Sequence, residues 1–130
     1  MMRNVPMVAL LLLVGCARGE AGTAGEDRLA RELAGRVAGE PRDCIAATSG
    51  RRLVAIDSRT LVATEGRQVW VNRLRSECPG LNPYGTLIIE ASGGRYCRGD
   101  IVRGVEPGQT IPGRACMLGE FVPYTRAAAR

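Results

Sequence analysis

From Cys44 to Val122 apolar residues recur at every second position, in short runs interrupted by turn residues. That period of two is the signature of half-buried strands. It predicts strands over Cys44–Thr48, Arg52–Asp57, Thr60–Thr64, Gln68–Leu74, Thr86–Glu90, Ile101–Val105 and Ala115–Val122. β-Branched residues recur in them (Ile45, Val54, Ile56, Val62, Val69, Val71, Ile88, Ile89, Ile101, Val102), which suits a pleated surface. Ser49-Gly50, Asp57-Ser58-Arg59, Glu65-Gly66-Arg67 and Ser92-Gly93-Gly94 supply brief turns, so successive strands are expected to be antiparallel neighbours. Glu106–Arg114, with Pro107, Gly108, Pro112 and Gly113, reads as a crossing loop. A set of short strands in so small a domain predicts a mostly β fold: a small, strongly bent antiparallel sheet or an OB-like barrel that hides its edges. Trp70, Leu87, Ile89, Ile101 and Phe121 are the expected core, with Val69 and Val71 turned toward a second layer or a capping helix.

Upstream the period changes. Leu29, Leu33 and Val37 repeat at four-residue steps beside Ala30 and Ala34. Glu26 and Asp27 open this segment and Arg36 closes it, in the sense that favours a helix dipole. A short amphipathic helix is expected over residues 26–38, stopped by Gly39 and Pro41. Residues 16–25 are small and polar and read as a flexible tether; residues 125–130 read as a frayed end.

The first residues have a different pattern. Arg3 gives a positive start, and Met7–Val14 is an apolar run too short to span a bilayer about 30 Å thick. It ends in Leu13-Val14-Gly15-Cys16, which resembles the lipobox of bacterial lipoproteins. That resemblance implies a signal peptide over residues 1–15, cleavage before Cys16, and acylation of the Cys16 thiol. Two or three acyl chains anchor stably where one is marginal. Ala17, rather than aspartate, follows the cysteine, which by resemblance to lipoprotein sorting implies the periplasmic face of the outer membrane. The remaining chain, Cys16–Arg130, is one domain of ordinary small size, with a β domain over residues 42–124.

Composition narrows the chemistry. The net charge is +5, every basic residue is arginine, and histidine and lysine are absent. The arginines are spread along the chain, and the few aromatic residues are not interleaved with a basic run, so nucleic acid is not an expected partner. Without histidine there is no Ser-His-Asp or Cys-His catalysis, and without lysine no Schiff base. Carboxylates remain. Asp57 and Asp100 adjoin strands and either could be half of a glycosidase pair, but both have a simpler reading as turn residues that accept backbone N–H bonds. Gly93-Gly94 and the Gly104–Gly113 stretch lack the setting of a nucleotide-binding loop. No cofactor and no metal are expected, and the protein is expected not to be an enzyme.

Beyond Cys16 four cysteines are left: Cys44, Cys78, Cys97 and Cys116. In a small exported domain an even number is a disulfide framework, and four permit three pairings. No Cys-x-x-Cys motif points to redox exchange or zinc. The expected bridges are Cys78–Cys97, closing the excursion through Pro79 and Pro83, and Cys44–Cys116, tying first strand to last. The sequential pairing, Cys44–Cys78 with Cys97–Cys116, stays open.

Five segments together carry a wider resemblance: Arg42-Asp43-Cys44-Ile45, Ala55-Ile56-Asp57-Ser58-Arg59-Thr60-Leu61-Val62, Cys78-Pro79-Gly80-Leu81, Cys97-Arg98-Gly99-Asp100-Ile101, and Arg114-Ala115-Cys116-Met117-Leu118-Gly119-Glu120-Phe121. Over residues 42–123 the chain resembles the domain-of-unknown-function 6491 group of small proteobacterial lipoproteins. The resemblance implies an exported, anchored β domain and carries no catalytic residues. Where members often have an aromatic residue after the first cysteine, this chain has Ile45 and Ala46.

The functional expectation is a lipid-anchored accessory or protein-interaction domain that meets an envelope protein through a sheet face or the Pro79–Gly85 loop. The alternative is a small-ligand or polysaccharide-binding barrel, with Trp70, Tyr84 and Tyr96 facing the ligand and arginines at the rim.

Overall fold

A computed structural model describes residues 24–48 and 50–127. The leader, Cys16 and most of the tether lie outside the described residues, as do the last three residues of the C-terminus.

The described chain is one short helix followed by ten strands in three antiparallel sheets. Helix α1 covers Ala24–Leu33. The strands are β1 (Arg36–Ala38), β2 (Cys44–Ala46), β3 (Leu53–Ala55), β4 (Thr60–Glu65), β5 (Gln68–Arg73), β6 (Thr86–Glu90), β7 (Arg95–Cys97), β8 (Ile101–Val105), β9 (Cys116–Met117) and β10 (Phe121–Arg126). They assemble as β1-β10-β5-β4-β3, β6-β8-β9 and β2-β7.

The five-stranded sheet is the middle layer. Alternation along β4 and β5 sends Leu61, Ala63 and Trp70 to one face and Val62, Val69 and Val71 to the other. On the first face these residues join Phe121, Leu53 and Ala55, and pack against Ile45, Leu81, Val102 and Leu118 from the smaller sheets and loops. On the second face Leu29 and Leu33 of α1 lie over Ile56, Val62, Val69 and Val71. The expected roles of Val69 and Val71 are therefore met: both faces of β5 are buried, one beneath a sheet layer and one beneath the helix.

Several expectations need correction. The sheets do not close into a barrel and do not merge into one strongly bent sheet. Edge strands β3 and β6 approach each other without pairing, and β2 pairs only with β7. The helix ends at Leu33 rather than at 38 because Gly35, with φ of 72°, provides a left-handed cap. The freed residues Arg36–Ala38 become β1 and pair with Tyr124–Arg126, so part of the expected frayed end is in a ladder. The helix also starts two residues earlier than expected, at Ala24, within the tether assignment.

The expected single strand Ala115–Val122 is two. Leu118-Gly119-Glu120 carries the chain from the three-stranded sheet to the five-stranded one. Gly119 sits so close to Arg73 that a Cβ would fall 2.2 Å from the Arg73 carbonyl oxygen. Buried Asn72 holds the joint from both sides: its Nδ2 donates to Gly119 O at 2.7 Å, and Gly119 N–H donates to Asn72 Oδ1 at 2.8 Å. In β8 it is Val102, not Ile101, that enters the core.

Two disulfides are present, but the pairing is the third one: Cys44–Cys97 and Cys78–Cys116. The reason is β7. The Ser92-Gly93-Gly94 turn returns the chain as a strand antiparallel to β2, and Cys44 and Cys97 are direct partners in that ladder, with Cα atoms 4.0 Å apart. Cys116 belongs to another sheet and bridges instead to buried Cys78, 6.0 Å away between Cα atoms.

Candidate functional site

The turn carboxylates have structural partners. Asp57 Oδ1 accepts the Arg59 N–H at 2.8 Å, and Asp100 Oδ2 accepts the Cys97 N–H at 2.7 Å. Each closes a tight turn at a strand end, as expected for these residues. Among the described residues no group of three or more acidic or cysteine side chains converges in a way that would hold a metal ion.

The three rings expected to share a ligand surface do not share one. Trp70 is 4 % exposed and sits in the main core, with the guanidinium carbons of Arg42 and Arg51 at 5.9 Å and 5.6 Å from its ring centroid. Its Nε1 is buried without a hydrogen-bond partner. Arg51 is held in place by Glu65, whose carboxylate accepts its Nε at 2.6 Å, and by Ala46 O at 3.0 Å. Tyr84 stands 88 % exposed at the tip of a turn, where Asn82 Oδ1 accepts the Tyr84 N–H. Only Tyr96 faces a hollow.

That hollow is a cleft of about 500 Å³ between β3 and β6. Its walls are Leu53, Val54 and Ala55 on one side and Leu87 and Ile89 on the other, with Tyr96, Pro83 and Gly85 closing it and Arg52 beside β3. Its side chains are apolar apart from Arg52 and the Tyr96 hydroxyl. The main chain is not. Ile56 N–H donates to Thr60 O, so in the alternating antiparallel ladder the N–H and C=O groups of Leu53 and Ala55 point away from β4. In the other sheet Gly104 O and Asp100 O accept from Gly113 and Leu118, which turns the even-numbered residues of β8 away from β6. Leu87 and Ile89, opposite Gly104 and Val102, therefore also present main-chain groups outward. Among the described residues, two strand edges with unpaired donors and acceptors thus border one cleft, whose side chains are mainly apolar and whose exposed main chain is polar. The Pro79–Gly85 loop, singled out from sequence, contributes Pro83 and Gly85 to it.

A second cleft, of about 330 Å³, opens on the helix-side face of the five-stranded sheet. Val71, Val122 and Tyr124 line it together with Arg73, Arg75, Arg98, Gly119 and Glu120. Arg98 is paired with Glu120 at 3.1 Å and lies 3.8 Å from Asp43. Arg73 and Arg75 have no acidic partner among the described residues. Sequence reasoning missed this group because the arginines are separated in the chain. The only local signal is the two-residue step from Arg73 to Arg75, which keeps both on one side of an extended segment.

No family model matches the chain, and neither a curated protein nor a solved structure is similar to it. The resemblance to the lipoprotein group therefore rests on the quoted segments alone.

Proposed function

We propose that this protein is a non-catalytic, lipid-anchored domain on the periplasmic face of the outer membrane, and that it binds an extended segment of an envelope protein in the β3–β6 cleft. The observation that carries the binding role is the pair of strand edges, unpaired among the described residues, that border one hollow with exposed main-chain groups on both sides. An extended peptide is the ligand whose own main chain complements such edges while its alternate side chains fill apolar pockets. A sugar ligand would call for stacking rings on one surface, and Trp70 and Tyr84 are elsewhere.

Supporting the location are the Leu13–Cys16 lipobox and the two disulfides, which suit an oxidising compartment. The lipobox reading is tested by metabolic labelling with a fatty acid. The native chain should take up label and the Cys16→Ser chain should not.

The binding role is tested by placing a photo-crosslinking residue at Leu87 on β6 or at Val54 on β3, both lining the cleft, in intact cells, with Ile111, exposed on the crossing loop, as control. One envelope protein should be captured from both cleft positions and not from the control. Equal capture from Ile111, or none from β3 and β6, would reject the cleft as the binding surface.

A further inference from the structure

We infer that the Arg73–Arg75–Arg98 cleft is a binding site for the phosphate of an anionic phospholipid headgroup, through which the domain rests on the membrane that holds its anchor. The orientation part of this inference rests on the lipid anchor proposed above; the headgroup site itself stands on the arginines.

The charge pattern comes first. Three arginines line one cleft whose lining holds a single carboxylate, Glu120; Arg98 is engaged by it and lies 3.8 Å from Asp43, which leaves Arg73 and Arg75 as the uncompensated pair. Arg73 and Arg75 are exposed and have no carboxylate partner among the described residues. Guanidinium is the side chain best matched to phosphate, because its planar donors meet two oxygens at once. Arg75 and Arg98 continue into an adjoining hollow with Gly99, Met117 and Leu118, so the cationic lining extends beyond one pocket. On the other side of Arg73 lies a hollow with Glu26, Asp57 and Glu77. Arg75 does not line that acidic hollow and is the guanidinium of the three farthest from compensation, since Arg98 already faces Glu120 and Asp43. Arg59, also in that hollow, is occupied by the carbonyl oxygens of Leu74 and Arg75, at 3.0 Å and 2.9 Å. It braces the Arg75 segment.

The floor of the cleft is apolar. Val71, Val122 and Tyr124 descend from β5 and β10 onto the same face that α1 covers further along. A cationic rim over an apolar floor fits an amphiphilic anion better than a fully polar one such as free phosphate.

Helix α1 begins at Ala24, and Glu26 in its first turn shares a hollow with Arg73. The start of α1 therefore lies near the Arg73 end of the sheet. Eight residue steps separate Cys16 from Ala24 and reach at most about 28 Å when fully extended. An acylated Cys16 keeps this end of the domain close to the bilayer. Each arginine near an anionic surface contributes about 1 kcal/mol, which converts to roughly a fivefold change in binding.

The test uses the full exported chain carrying Cys16→Ser, so that acylation does not contribute. Its co-sedimentation is measured with vesicles of phosphatidylcholine alone and of phosphatidylcholine mixed with phosphatidylglycerol. Binding is expected to the mixed vesicles only. The additional pair Arg73→Gln and Arg75→Gln should weaken it by roughly 25-fold. The same net charge removed by Arg67→Gln and Arg95→Gln, which lie outside both clefts, should weaken it far less. Equal weakening by both pairs means diffuse attraction and overturns the site. Absence of binding to the mixed vesicles overturns it too. Full displacement by soluble glycerol phosphate would make it a site for small phosphoesters and reject the membrane role. Near-ultraviolet circular dichroism confirms that each variant is folded, so that lost binding is attributed to the arginines. Fatty-acid labelling of the native chain reports separately on the anchor. Failure there with vesicle binding intact would reject the anchor and leave the headgroup site standing.

Discussion

β4 and β5 are six-residue strands paired along their whole length, with apolar side chains buried on both faces. β2, β7 and β9 are two or three residues long, and their sheets contain only two or three strands. Isolated two-stranded ladders are marginal in water. The difference shows where each half obtains its stability. The five-stranded sheet is held by burial between two layers. The half facing it depends on both disulfides and on close main-chain contacts, and each disulfide has at least one cysteine in a short strand of that half.

The strongest way to break this contrast is to remove a bridge. Cys44–Cys97 closes a separation of 53 residues, which in the chain-entropy picture corresponds to about 4 kcal/mol. The two closed loops overlap in sequence, so removing both should cost less than twice that amount. A Cys44→Ser, Cys97→Ser variant should lose amide protection first in Cys44–Ala46 and Arg95–Cys97, while Leu61–Ala63 and Val69–Val71 stay protected in hydrogen exchange. Uniform loss across all strands would mean that the two halves are one cooperative unit.

Next in size is Gly104→Ala. A Cβ there would fall 2.1 Å from Gly80 O, so β8 and the Gly80 loop must separate. A loss of about 3 kcal/mol is expected in chemical denaturation, the upper end for overpacking. A loss below that of an ordinary surface substitution would show that the contact is soft.

The smallest expected effect is at the joint between the halves. Asn72→Leu leaves the Gly119 N–H and C=O without their partners and should cost about 2 kcal/mol. Asn72→Asp keeps the acceptor for the Gly119 N–H and faces the Gly119 carbonyl with a second oxygen. It should lose more stability at neutral pH than in acid, where the protonated side chain regains a donor. A pH-independent loss would show that the donor to Gly119 O is not what holds the joint.

Much of the five-stranded sheet was legible in the chain. The alternation Val69-Trp70-Val71 names both buried faces, and the brief Glu65-Gly66-Arg67 turn forces β4 beside β5. The opposite half was not. β7 is three residues, Arg95-Tyr96-Cys97, too few to establish a period, and without it the partner of Cys44 is lost. The helix stops at Leu33, short of the expected residue 38, because Gly35 caps it in the left-handed conformation, a role that helical periodicity does not encode. Of the residues expected to face a ligand, Tyr96 lines the β3–β6 cleft, Tyr84 does not, and Trp70 is in the core.

Local pattern by itself determined a mostly β domain with one N-terminal helix, the outward and inward faces of its longer strands, and four cysteines destined for two bridges. Those follow from side-chain period and turn chemistry, which act between near neighbours. Tertiary structure alone decided which cysteines meet, that β3 and β6 leave a cleft rather than a seam, and that Arg73, Arg75 and Arg98 share one surface. Each of these depends on contacts between residues far apart in the chain, and no short-range periodicity encodes them.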